Sequence, residues 1–97
     1  MPELLDHATV DAALAQGMGW ERYGDEIVKT RRGKDFVDSL AFVNAVGVLA
    51  QEMDHHPDID IRWNLVTLRL TTHSEGGLTH LDLDLARRID AVSVPGG

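Results

Sequence analysis

The stretch DIDIRWNLVTLRL constrains this chain more than any other. Its apolar residues fall on odd numbers at Ile59, Ile61 and Trp63, then on even numbers at Val66, Leu68 and Leu70. Side chains alternate faces along a strand, so each run reads as a strand with one apolar face. A change of parity with no long gap calls for a tight turn, expected at Asn64-Leu65. The resulting hairpin pairs Trp63 with Val66, Ile61 with Leu68 and Ile59 with Leu70. On its other face Asp60 meets Arg69, an opposite-charge pair.

Helical signals flank this hairpin. A short helix is expected over Thr9–Gln16, capped by Thr9 and ended by Gly17. Strands follow at Gly19–Tyr23 and Glu26–Arg31, with a turn at Gly24-Asp25. The longest helix begins after Asp35, an N-cap, with Asp38 in its first turn. Phe36, Leu40, Val43, Val46, Ala50 and Met53 trace its expected buried stripe. Pro57 disfavours helix before it, so this helix should stop by His55. A last helix starts at the cap Thr79, with Asp82 three residues on and Leu78 and Leu83 as a staple. Leu81, Leu85, Ala86, Ile89 and Val92 form its expected buried side, and the ends MPELL and SVPGG are expected to fray.

The 97 residues make one domain, 1–97, with a core small enough that oligomerisation is an expected source of stability. There is no cysteine, which removes disulfides and thiolate chemistry and fits a reducing, cytoplasmic setting. A formal charge of -7 disfavours direct nucleic-acid binding. The basic clusters Lys29–Arg32 with Lys34, and Arg87-Arg88, read as solvated faces. The N-terminal residues lack a signal-peptide pattern, and no apolar run approaches the roughly 20 residues that span a membrane.

The hairpin register has a consequence for chemistry. It sets His56 opposite His73, while His55 adjoins His56 at the helix end and Pro57 redirects the chain. Three imidazoles are therefore expected at the mouth of the hairpin. Histidine titrates near pH 6.5, so one such cluster can hold both a proton donor and a proton acceptor. Zinc is the competing reading, since three histidines and an open position form a known catalytic arrangement. Adjacent histidines at a helix end are awkward to aim at one metal, so no metal is assigned. His7 and His80 read as ordinary surface or structural residues, and Trp20 and Trp63 as core or rim aromatics.

The run Asp54-His55-His56-Pro57, five residues, Trp63, nine residues, His73, eight residues and Asp82 resembles the signature of the pterin-4a-carbinolamine dehydratases. Gly19-Trp20, Lys34-Asp35-Phe36, Thr72-His73 and Gly77-Leu78-Thr79 resemble further family positions, so the likeness spans roughly residues 19–92. It implies an α+β fold: a four-stranded antiparallel sheet with helices packed on one face, in two layers ordered α-β-β-α-β-β-α. The elements read above have the same order. The resemblance also implies dehydration of a 4a-hydroxytetrahydropterin to the quinonoid dihydropterin without a cofactor. His55, His56 and His73 would be the catalytic set. Pro57, Thr72, Ser74 and Glu75 would bind substrate, with Gln51 and Asp82 supporting. It further implies a homodimer or homotetramer and a link to aromatic amino acid hydroxylases through pterin recycling. A non-catalytic pterin- or protein-binding module of the same fold is the alternative. The chain departs from the family pattern in two respects. Gln51 stands where members often have an acid, and Arg31 and Gly33 stand where alternating aromatics are common.

Overall fold

A computed structural model describes residues 2–17 and 19–92. The elements are α1 (His7–Leu14), β1 (Glu21–Tyr23), β2 (Glu26–Arg32), α2 (Phe36–Met53), β3 (Asp58–Arg62), β4 (Leu65–Leu70), a 3-10 turn (His73–Glu75) and α3 (His80–Asp90). The strands form one antiparallel sheet in the order β1-β2-β4-β3. This is the expected α+β architecture, with the elements in the expected order.

One face of the sheet carries the core. Ile27 of β2 and Val66, Leu68 and Leu70 of β4 are buried in one cluster with Phe42, Val46 and Ala50 of α2 and Leu85, Ala86 and Ile89 of α3. Burial of each large aliphatic side chain contributes about 1.5–3 kcal/mol. The alternate residues Thr30, Arg32 and Arg69 are exposed, so the helices cover one side only.

The β3–β4 hairpin keeps its apolar face but not its expected register. Ile61 pairs with Val66, Ile59 with Leu68 and Asp58 with Arg69, and the turn is Trp63-Asn64 instead of Asn64-Leu65. Every partner has slipped by two residues, and Asp60 faces Thr67, not Arg69. Alternation fixes faces but is blind to an even slip, which leaves each side chain on its own side. Asn64 decides the outcome. Its carbonyl accepts from Gly33 N at 2.7 Å and its side-chain amide donates to Gly33 O at 3.2 Å, which ties the turn to the end of β2. Trp63 then takes the left-handed turn position, with φ 51°.

The helices differ from expectation mainly at their edges. Asp6, not Thr9, caps α1, accepting from Thr9 N at 2.7 Å. Leu4 and Leu5 before it are not frayed: Leu5 N–H donates to Leu78 O at 2.8 Å and Leu4 lies over Gly77, while Met1 lies outside the described residues. The C-terminal SVPGG lies outside the described residues. In α2, Phe36 and Leu40 are exposed and Phe42 is buried in their place. This helix is apolar on more than one side, so the pattern alone does not set its phase. By length and composition α2 could cross a membrane, yet Phe42, Val46 and Ala50 pack it into the core.

The phase of α2 is set by polar groups at its start. Asp35 accepts from Asp38 N, and Asp38 turns inward to accept from Lys34 N at 2.7 Å and Arg31 Nη2 at 3.3 Å. The Arg31 guanidinium lies over the Phe42 ring, 4.6 Å from its centroid. The basic run of β2 is therefore not a wholly solvated face: Arg31 meets α2, and Lys29 reaches Asp90 of α3, which also accepts from Trp20 Nε1. The departures at Arg31 and Gly33 explain each other. A Cβ at Gly33 would come within 2.5 Å of Asp38 Oδ2 and 3.1 Å of Arg31 Nη1.

Candidate active site

The end of α2 aims the first histidine. Asp54 turns the chain through the left-handed region (φ 48°). Asp54 N donates to Gln51 O at 3.2 Å and His55 N to Ala50 O at 3.0 Å. These are the two bonds of a Schellman ending, with aspartate in the place glycine usually takes. His55 is thereby fixed to the last turn of α2 and sent into the protein, where it is buried.

Its partner comes from α3. Asp82 is fully buried, and its Oδ1 lies 2.6 Å from His55 Nε2. The other oxygen, Oδ2, accepts from Thr79 N at 2.9 Å, which closes the capping box of α3, and from the Thr72 hydroxyl at 2.8 Å. The Thr72 and Thr79 hydroxyl oxygens are 2.8 Å apart. One carboxylate thus joins the end of α2, the start of α3 and the segment after β4. Such a group is tolerated in the interior because both oxygens have hydrogen-bonding partners.

Thr72 leads directly into the 3-10 turn that begins at His73. Its N–H donates to Gly77 O at 2.9 Å, and its carbonyl accepts from Glu75 N and Gly76 N at 3.0 and 3.1 Å. Gly76, with φ 75°, closes this loop. His73 and Ser74 are exposed on it, and the Ser74 hydroxyl donates to Glu75 at 3.1 Å. His56 is also exposed, its Nε2 lying 3.0 Å from Gln51 Oε1. The amide oxygen accepts there, so Gln51 orients the ring without supplying charge.

The sequence-expected residues are therefore joined in a different way from that expected. Strand pairing does not set His56 against His73, because β3 begins at Asp58 and β4 ends at Leu70. Instead, Asp82 links His55 to the residue preceding His73. Thr72, expected to bind substrate, has its hydroxyl engaged inside this network. Thr79 was legible only as a helix cap, and its hydroxyl contact with Thr72 has no signature in spacing. Among the described residues no three His, Asp or Glu are grouped to hold a metal. Two open depressions, of about 600 and 650 Å³, lie against α2, the first beside Ile59 of β3 and the second beside the end of α3. The first is lined by Val43, Gly47, Val48, Gln51 and Ile59 among others, and so reaches the partner of His56.

An antiparallel α+β sheet with two adjacent histidines at a helix end, one of them held by a buried aspartate, defines a narrow class. The family model for pterin 4 alpha carbinolamine dehydratase matches residues 3–92. This chain belongs to that family. It is 52% identical over 85 residues to a Thermomicrobium roseum protein provisionally named pterin-4-alpha-carbinolamine dehydratase, covering 88% of this chain and 91% of the relative. A Roseiflexus castenholzii protein of the same provisional name is 49% identical over 92 residues, covering 95% and 99%. The solved transcriptional coactivator/pterin dehydratase from Brucella melitensis superposes with a TM-score of 0.86 at 32% identity, covering 92% of this chain and 97% of that one. A pterin dehydratase-like RuBisCO assembly factor of the alpha-carboxysome shares the fold, with a TM-score of 0.60 at 22% identity over 74% and 83% of the chains.

Proposed function

We propose that this protein dehydrates a 4a-hydroxytetrahydropterin by histidine acid–base chemistry. Protonation of the 4a-hydroxyl lets it leave as water, the N5 lone pair supplies the push, and N5 then gives up its proton. The product is the quinonoid dihydropterin, and the protons taken and returned balance. His55 and His73 exchange these protons from different sides. His56 chiefly holds the pterin, and the segments at Pro57 and Thr72–Glu75 frame it, with Ser74 exposed toward solvent and Glu75 half-buried. The observation that carries the reading is the buried Asp82 carboxylate, which accepts from Thr72 beside His73 and lies against His55. General acid–base groups of this kind contribute about 10²–10⁴-fold each. Stopped-flow absorbance on freshly formed 4a-hydroxytetrahydropterin tests it. Loss of the intermediate should be accelerated in proportion to protein concentration, and a rate equal to the spontaneous one would remove the activity.

The family resemblance supports a cytoplasmic role in recycling the pterin used by aromatic amino acid hydroxylases, and a homodimer or homotetramer. The assembly has physical support in Val37, Leu40 and Val48, apolar and exposed on α2, and in the edge strand β3. An antiparallel second β3 centred on Asp60 would set Asp58 against Arg62 and Ile59 against Ile61. Light scattering should give a multiple of the chain mass. The same apolar face favours one second reading, a protein-binding module that retains the pocket. Pterin binding without turnover is its mark.

A further inference from the structure

We propose that the Thr72 and Thr79 hydroxyls lock His55 in the Nε2–H tautomer through Asp82, so that Nδ1 is the one ring nitrogen of His55 that can gain or lose a proton. The inference rests on the dehydratase reading for its catalytic consequence, but its structural half stands on hydrogen counting alone.

The count begins at Thr79. Its backbone N–H is a donor whatever its surroundings, and it points at Asp82 Oδ2, 2.9 Å away. Its hydroxyl oxygen accepts from Leu81 N at 3.2 Å, which leaves the hydroxyl hydrogen to be given elsewhere. Thr72 Oγ1 lies 2.8 Å from that oxygen and 2.8 Å from Asp82 Oδ2. A hydroxyl has one hydrogen to donate. Two acceptor oxygens at 2.8 Å need a hydrogen between them, and Oδ2 already receives one from Thr79 N. The order that satisfies every atom runs from Thr79 O–H to Thr72 Oγ1 and from Thr72 O–H to Asp82 Oδ2. Oδ2 therefore carries no hydrogen.

The remaining oxygen, Oδ1, shares one hydrogen with His55 Nε2 across 2.6 Å. Imidazole is intrinsically a stronger base than carboxylate, so that hydrogen belongs to nitrogen. Neutral His55 is then Nε2–H with its lone pair on Nδ1. When it takes a second proton, Nδ1 receives it and Asp82 faces an imidazolium. Thr72 and Thr79 act through Asp82 and touch no reacting atom, so they are positioning residues. Because Thr72 also begins the His73 loop, the segment bearing the exposed His73 fixes the protonation site of the buried His55.

Nitrogen-15 imidazole spectra of the intact protein, recorded at about pH 8 where an ordinary histidine is neutral, read the tautomer directly. Wild-type His55 should show a protonated Nε2 and a bare Nδ1. Asp82→Asn should reverse this. Thr79 N–H and the Thr72 hydroxyl require an acceptor, so the amide oxygen takes the Oδ2 place. The amide NH₂ then faces His55 and demands the lone pair at Nε2. Thr72→Val, which removes the hydroxyl at nearly constant shape, should give a mixture of tautomers, and Thr72→Ser should restore the single one. Dehydration kcat should fall about 10–100-fold in Asp82→Asn and Thr72→Val, as for lost supporting hydrogen bonds elsewhere, with KM little changed. A wild-type spectrum with hydrogen on Nδ1 overturns the proposal, and needs no variant to fold. So does an Asp82→Asn protein that keeps Nε2–H. Absence of dehydration with the expected wild-type tautomer would defeat the activity reading alone, while dehydration with the opposite tautomer would defeat this one alone.

Discussion

Two helices of this protein begin with the same device and put it to different ends. In α2 the cap is Asp35 and the inward acid three residues later is Asp38; in α3 the cap is Thr79 and the acid is Asp82. Each acid is buried, and each accepts a backbone N–H at its helix start, from Lys34 or from Thr79. They part company at the remaining oxygen. Asp38 meets Arg31, which is charged at every working pH, whereas Asp82 meets His55, which can change its charge. A permanent pair can only fix a position. A titratable partner can pass a proton on; His56 follows one member of that second pair in the chain, and His73 follows Thr72, which bonds the other.

Replacing the site histidines should separate the two regions most sharply. His73→Ala is expected to lower dehydration kcat by about 10²–10⁴-fold with a smaller effect on KM. Arg31→Met, at the other pair, should leave kcat near wild type. Steady-state rates on the hydroxylated pterin decide it, and full kcat in His73→Ala would end the proton-transfer role of that residue. Next in size is Asp82→Ala, which strands the Thr72 hydroxyl, Thr79 N–H and His55 Nε2 in the interior. Removing one partner of a buried pair costs about 3–5 kcal/mol, readable as a shift in the urea midpoint. Gly33→Ala should be milder, about 1–3 kcal/mol, because its methyl would press on Asp38 and Arg31. A neutral effect there would mean that the Arg31 pair is looser than its geometry suggests.

The smallest effect depends on pH. The Lys34 N–H, with Arg31 behind it, holds Asp38 below the usual carboxylate range against the opposing cost of burial. A lowered folded-state value stabilises the protein above the unfolded value of about 3.9 and ceases to do so as pH falls through the lowered one. Asp38→Asn should therefore melt below wild type at neutral pH, with the gap closing in thermal scans below about pH 4.

Much of this was legible in the sequence for a definite reason. Caps are local, so Asp35, Thr79 and Asp82 could be placed from neighbours three residues away. Strand parity is local too, and it put Ile59, Ile61, Val66, Leu68 and Leu70 on the correct face. Apart from the cap of α1, which is Asp6 and not Thr9, what failed was whatever depends on partners outside the local segment. The slip of the β3–β4 register follows from Asn64 bonding Gly33, and α2 turned Phe42 inward, not Phe36, because Asp38 is drawn toward Arg31. The expected pairing of His56 with His73 rested on that register. The link that replaces it, from His55 to Asp82 and on to Thr72, crosses 27 residues and has no periodic trace.

The two tryptophans occupy opposite surroundings. Trp20 is buried and its indole N–H donates to Asp90 at 2.8 Å, while Trp63 sits at the tip of the β3–β4 turn with two-thirds of its surface exposed. Light emitted by the folded protein is thus the sum of a sheltered and a hydrated fluorophore. Iodide should extinguish the red part and spare the blue. Unfolding would be reported by Trp20 and events at the hairpin tip by Trp63, so a single cuvette can follow both without any added dye.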